Sequence, residues 1–428
     1  VGAITGAAVG VVFPPRLGAS FRWLVLSSWT SNLGDGLALA AGPLLVASLT
    51  DHAFLIALAA LVQWLPPLLF ALPAGVLSDR HDRRRIVMAT DTVRVAVLGG
   101  LITVVVSGHT SIGIVLTALF ALATAEVFAD SGSANLTPVL VAPADLAIAN
   151  SRTMGAFVTA NQLIGPPIGA ALFAAGWSVP FIAQAVLVGG GVALIARVVV
   201  PRREVGGTAA GDGSEPLARS VGREVREGVG YALRHPAVRT LVLTIFTFNI
   251  TFGAAWSVLV LYAREQLGLG SVGFGLITTV QAAGGLAGTL AFGWISRRVS
   301  MGNIMRAGLI IETLTHLGLA VTSVPAVALA IFFVFGAHAF IWGTTSVTIR
   351  QRVVPVDLLG RVGAVNSVSS YGGLVLGSAV GGALAQAYGV TAPFWFAFAG
   401  SALFLVLIWR QLTNLSRARP NDRPSLAA

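Results

Sequence analysis

Twelve stretches of mostly apolar residues run along the chain with polar breaks between them. They are residues 21–49, 54–77, 86–107, 111–134, 153–175, 178–200, 239–262, 271–294, 304–323, 325–348, 362–388 and 391–411. A helix needs about 20 such residues to cross the hydrocarbon core of a bilayer, so each stretch predicts one spanning helix. The predicted fold class is an all-α integral membrane protein with twelve transmembrane helices. The breaks are short except one, which divides the pattern into six and six. The domain organisation that follows is a lead at 1–20, a six-helix bundle at 21–200, a linker at 201–238, a second six-helix bundle at 239–411 and a tail at 412–428. Within the linker, residues 206–214 have a flexible, glycine-rich composition. From Arg219 to Arg234, Val221, Val225, Val229 and Leu233 recur at i, i+4 with charges between them. That spacing predicts an amphipathic helix on the inner membrane surface, ended by His235-Pro236.

The two halves echo each other. Pro143-x-Asp145-Leu146 returns as Pro355-x-Asp357-Leu358, and Gly165-x-x-x-Gly169 as Gly377-x-x-x-Gly381, both at an offset of 212. Gly75-x-Leu77-Ser78-x-Arg80 returns more loosely as Gly293-x-Ile295-Ser296-x-Arg298. A repeat of six spans keeps its orientation, which predicts a parallel 6+6 repeat.

Composition sharpens this reading. Of 428 residues, 55% are hydrophobic and only 10% charged, too apolar a surface for a soluble protein of this length to hide. The 50 glycines suit helices packed closely in lipid. A net charge of +10 would suit a nucleic-acid partner, but its placement excludes one. All 27 basic residues are arginine. With both termini inside, only Arg264 falls on the outer side, while Arg94 lies within the third stretch. The positive-inside rule therefore predicts a multi-pass protein of the cytoplasmic membrane with both termini in the cytoplasm. Residues 1–13 are too short to span. Cysteine is absent, which excludes disulfides and thiolate metal sites. No His-Glu-x-x-His, Gly-x-Ser-x-Gly or Gly-x-x-x-x-Gly-Lys pattern occurs, so no motif points to an enzyme, a nucleotide or another cofactor.

Candidate chemistry sits in three places. The first is the charged loop Gly75-Val-Leu-Ser-Asp79-Arg80-His-Asp-Arg83-Arg84-Arg85 between the second and third stretches. Gly75 would let the end of the second helix approach a neighbour. Asp79 would cap a helix N-terminus, with Arg80, Arg83 and Arg84 free to bind a carboxylate or lipid phosphates. The second is Gly165-Pro166-Pro167-Ile168-Gly169, where proline removes a backbone hydrogen bond and kinks the fifth helix. The third is a set of ionisable groups inside the spans, which usually face a cavity or a partner because charge is costly there. Asp35 lies midway along the first span. Glu126 and Asp130 lie one turn apart on the fourth, Glu312 and His316 one turn apart on the ninth, and His338 in mid-tenth. Asp35, Glu126, Glu312 and His316 are candidates for carrying protons or binding substrate, the last two alternatively as a neutral hydrogen-bonded pair. Asp91 and Arg94, three apart, are expected to pair with each other. Gln63, Trp64, Asn249, Trp256, Gln281 and Trp342 are candidates for lining a cavity.

Gly75, Leu77, Asp79, Arg80, Arg83 and Arg84 resemble the loop motif of the major facilitator superfamily. Asp82, where many members have glycine, with Arg83-Arg84 resembles the subgroup of macrolide-type efflux proteins and siderophore exporters. Leu33-Gly34-Asp35, Tyr231 to Pro236, Gln351 to Pro355 and Gly360-Arg361-Val362 fit the same subgroup. The resemblance implies two bundles that work by alternating access. It implies that Asp79, a motif arginine and Asp130 at the inner end of the fourth span latch the bundles together in the outward-facing state. Gly165-Pro166-x-x-Gly169 resembles the motif associated with antiporters, although Arg152 and Asn161 occupy positions upstream where that motif has glycine. Many proton-coupled members carry an arginine within the fourth span, and none occurs here. The function so implied is export of an amphipathic organic molecule (a drug, an antibiotic or a siderophore-like metabolite) by proton antiport. The expected partners are that small molecule, protons and membrane lipids, and a monomer is expected. An importer or facilitator, or a non-transporting sensor, remains the alternative.

Overall fold

A computed structural model describes residues 15–200, 217–355 and 358–415. Residues 1–14, the 206–214 linker composition, Asp357, the side chains of Val221 and Val225, and the tail from 416 lie outside the described residues. Among the described residues every regular element is helical. Eleven helical segments are long and apolar enough to cross a membrane, and Val179–Ile195, 17 residues long, is a shorter twelfth.

The spans follow the hydrophobic pattern with shifted ends. They are Gly18–Leu49, Ala53–Arg80, Arg83–Val106, Ile112–Leu140, Pro143–Ala175, Val179–Ile195, Pro236–Trp256, Ser271–Ser296, Met301–Val321, Pro325–Val353, Leu359–Tyr388 and Ala392–Leu415. The fifth begins ten residues before its expected start, and the seventh stops short of its expected end. It ends at Trp256, and the chain continues through a short turn, Leu259–Leu261, and a π turn, Tyr262–Gln266.

Two compact units result, Val1–Leu49 with Leu69–Ala209 and Thr50–Leu68 with Ala210–Ala428. The expected boundary at the central linker is therefore incomplete, because the first part of the second span belongs with the second unit. Packing explains this. Gly382 has no side chain, and a Cβ there would lie 2.6 Å from Ala57 Cβ and 3.1 Å from Phe54 Cα. The rings of Trp64 and Tyr371 meet at 6.4 Å in the same unit.

Four helix pairings recur in both units, whereas the extensive packing of the eighth span on the tenth has no counterpart between the second and fourth. The first span packs on the fifth and sixth and the third on the fourth and sixth; the seventh packs on the eleventh and twelfth and the ninth on the tenth and twelfth. The repeated glycines make equivalent contacts. A Cβ at Gly165 would lie 2.5 Å from Gly36 Cα, and one at Gly169 would lie 2.7 Å from Leu37 Cα. At Gly377 it would lie 2.9 Å from Ala254 N, and at Gly381 2.6 Å from Ala254 Cα. Such approaches permit no side chain, so backbone lies directly on backbone. The other echoes hold locally. Leu146 N–H donates to Pro143 O and Leu358 N–H to Pro355 O. Ser78 Oγ donates to Gly75 O at 2.8 Å and Ser296 Oγ to Gly293 O at 3.5 Å.

The amphipathic helix forms at Leu217–Arg234 and ends where the sequence indicated, with His235 capping the seventh span by accepting from Val238 N–H. Its Gly228–Ala232 side is docked. Tyr231 Oη donates to Val353 O at 3.2 Å, Glu227 pairs with Arg361 at 2.8 Å, and Ala232 is buried. Val229 and Leu233, from the expected apolar stripe, are exposed.

Candidate functional site

The first unit holds a buried charge cluster. Asp35, on the first span, receives a hydrogen-bonded ion pair from Arg94 of the third span. The other Arg94 Nη donates to Asp91 at 2.9 Å, as the spacing suggested. Gln184 of the sixth span donates to Asp35 Oδ1 at 3.3 Å. All four residues are buried, and Arg94 is among the largest fully buried side chains described. Glu126 and Asp130 of the fourth span lie within electrostatic range of both Arg94 and Asp35. One guanidinium thus pairs directly with two carboxyl groups, Asp35 and Asp91.

Local sequence builds this geometry. Gly34 leaves the space that Gln184 fills; a Cβ there would sit 3.2 Å from Gln184 Cγ. On the other side of Asp35, Gly36 faces the fifth span, where a Cβ would meet Asn161 O at 2.6 Å. The fifth span is widened at that point into a π segment, Val158–Ile164, with Gly165 N–H bonded to Ala160 O. This extra residue in the turn absorbs the backbone disruption of Pro166-Pro167, and such bulges often mark functional positions. Gly165, Pro166 and Gly169 are buried against the segment that carries Asp35. The antiporter-like motif and the acid are therefore neighbours, which their separation in sequence concealed.

The charged loop differs from its expectation in two ways. Asp82, not Asp79, caps the third span, accepting from Arg85 N–H at 3.2 Å. Asp82 immediately precedes the first helical residue, whereas Asp79 lies in the last turn of the second span. Gly75 makes no close approach, since a Cβ there would meet nothing within 4 Å. The contact belongs to fully buried Ser78, whose Oγ lies 3.2 Å from Ser131 Oγ on the fourth span and accepts from Asn135. Asp79 is exposed and pairs loosely with Arg83 at 3.8 Å. Arg83 also donates to Ser78 O at 3.3 Å, and Arg84 donates to Ala196 O just beyond the sixth span, where helix carbonyls lack partners. Arg80 and Asp130 are exposed.

With this geometry in place, comparison with known proteins is decisive for the family. Residues 24–377 match the model of the Major Facilitator Superfamily. The chain belongs to that superfamily. Among characterised relatives, macrolide efflux protein A of Streptococcus pyogenes is 23% identical over 378 residues, covering 85% of this chain and 88% of its own. The multidrug efflux pump Tap of Mycolicibacterium fortuitum is 26% identical over 388 residues, covering 87% and 90%. Among solved structures, a bacterial homologue of the iron transporter ferroportin in its inward-facing state has a TM-score of 0.70 at 19% identity, over 93% of this chain and 99% of that one. A point mutant of the nucleoside transporter NupG has a TM-score of 0.72 at 11% identity, over 92% and 100%. These likenesses confirm the fold. The protein is a multi-pass membrane transporter of the superfamily.

The second unit holds the other candidates. Glu312 Oε1 lies 2.9 Å from His316 Nε2, and Oε2 lies 3.0 Å from His338 Nε2. His338 completes what the sequence showed as a pair. Trp256 donates to Gln281 Oε1 at 3.2 Å and stacks on Phe252 at 4.4 Å. Both Trp256 and Gln281 are half-buried, as are Gln63, Trp64 and Asn249, whose Nδ2 donates to Ile245 O. Trp342 does not line an open cavity. It is buried among Leu241, Met305 and Leu309 and stacks on Phe248 at 5.7 Å, because the adjacent glycine, Gly308, admits its ring.

Proposed function

We propose that this superfamily transporter is a proton-coupled exporter of an amphipathic organic molecule. The observation that carries the proposal is the Asp35–Arg94–Asp91 cluster with Glu126 and Asp130 in range. Two buried carboxylates share one buried cation, with Glu126 nearby on the fourth span, an arrangement suited to binding a proton and releasing it when solvent or a cationic group arrives. Arg94 on the third span supplies the cation that many proton-coupled members carry on the fourth. The efflux relatives support the direction, as does the Gly165-Pro166-x-x-Gly169 segment resting on the Asp35 helix. Their names point to macrolides and other drugs as the first substrates to try.

The arginine distribution supports a cytoplasmic position for both termini and for the Gly75 loop, where Asp79, Arg83 and Asp130 serve as the gating group. One proton crossing 100 mV supplies about 2.3 kcal/mol, enough to sustain a gradient of roughly fifty-fold. Energised inside-out vesicles test the proposal. Drug uptake that collapses with a protonophore is expected; uptake indifferent to the proton gradient would overturn antiport and favour a facilitator.

A further inference from the structure

We infer that Glu312, His316 and His338 form a second proton-binding site, enclosed in the second unit. Both carboxylate oxygens of Glu312 face an imidazole Nε2, at 2.9 and 3.0 Å. Glu312 is 1% exposed, His316 0% and His338 4%. Each of the two contacts needs one hydrogen. If both reside on Nε2 atoms, Glu312 is ionised, the trio carries one net negative charge, and both Nδ1 atoms are bare acceptors. Both Nδ1 atoms are indeed buried without a hydrogen-bond partner among the described residues, as is the neighbouring Trp342 Nε1. An ionic, partly satisfied network in an apolar interior is unfavourable. A third proton, held on the carboxyl or on an imidazole, makes the trio neutral.

Among the described residues, no other charged group is placed to do this. The side-chain partners of Glu312 are the two histidines. The eighth span has no ionisable residue, and the seventh and twelfth contribute only Arg239 and Arg410 near their ends. On the ninth, the Arg306 guanidinium lies over Trp409, 4.7 Å from its centroid. On the tenth, Arg350 and Arg352 are three turns beyond His338 or more. The remaining wall is aromatic: Trp256 is edge-on to His316 at 6.0 Å and Phe335 to His338 at 5.3 Å.

The test uses the full chain in lipid nanodiscs, without substrate or gradient, so its outcome is independent of the export reading. Imidazole nitrogen-15 spectra and carboxyl infrared bands are followed through a pH titration. The trio is expected to hold three protons at neutral pH and to lose one as pH rises, and Glu312→Gln is expected to remove that step. Asp35→Asn is expected to retain it. Both rings neutral and Glu312 ionised throughout the titration would overturn the inference. So would a proton step that survives in folded Glu312→Gln or disappears in Asp35→Asn. The wild-type spectra decide the matter even if Glu312→Gln fails to fold.

Discussion

Asp35 and Arg94, 59 residues apart on the first and third spans, form a buried ion pair that also draws in Asp91 and Gln184. Breaking such a pair from one side leaves a charge without compensation, at about 3–5 kcal/mol. Arg94→Gln is therefore expected to lower thermal stability in detergent sharply. Arg94→Gln combined with Asp35→Asn is expected to recover part of the loss, read from melting curves of the purified proteins.

Asp35→Asn alone keeps a hydrogen-bonding group beside Arg94. Membrane expression is expected to stay near wild type while proton-dependent drug efflux disappears. Efflux at the wild-type rate would remove Asp35 from the coupling mechanism.

The two aspartates of the charged loop separate by assay. Asp82→Ala deletes a helix N-cap and is expected to cost about 1 kcal/mol of stability. Asp79→Asn removes an exposed pair at 3.8 Å, which is worth no more than about 1 kcal/mol. Its expected effect is a lower transport rate with little change in melting temperature.

Gly169→Val would force methyl groups onto the Leu37 backbone, and overpacking of this kind costs about 1–3 kcal/mol. A loss of melting temperature and of transport is expected. Gly190→Ala is the control, since a Cβ there meets nothing within 4 Å, and it should behave as wild type.

Gly228→Val should lift the linker helix, because a Cβ at 228 would lie 2.6 Å from Arg361 O. Faster proteolysis near the linker is the expected readout.

The spans were legible because lipid demands some twenty apolar residues in a row, and the repeat because its glycines recur in register. Partnership between distant spans was not. Spacing linked Arg94 to Asp91 on one helix face, but nothing in the order of residues brings Asp35 or Gln184 to the same guanidinium. His338 was visible only as an isolated histidine until the ninth and tenth spans were set side by side. The expectation of an N-cap fell on Asp79, and only the observed end of the second span at Arg80 shows that Asp82 is the residue ahead of the next helix. The π segment at 158–164 left no mark in the hydrophobic pattern, since one extra residue per turn hardly alters it.

The seam between Gly36-Leu37 and Gly165–Gly169 has a mechanical consequence. Its contacts are main chain against main chain, with no side-chain rotamers available to yield under load. A displacement of the helix carrying Asp35 must drag the proline-bearing helix with it, as two bars of one welded lever. Charge change at the acid would then reach the far end of the fifth span as motion, undamped by any soft packing between them.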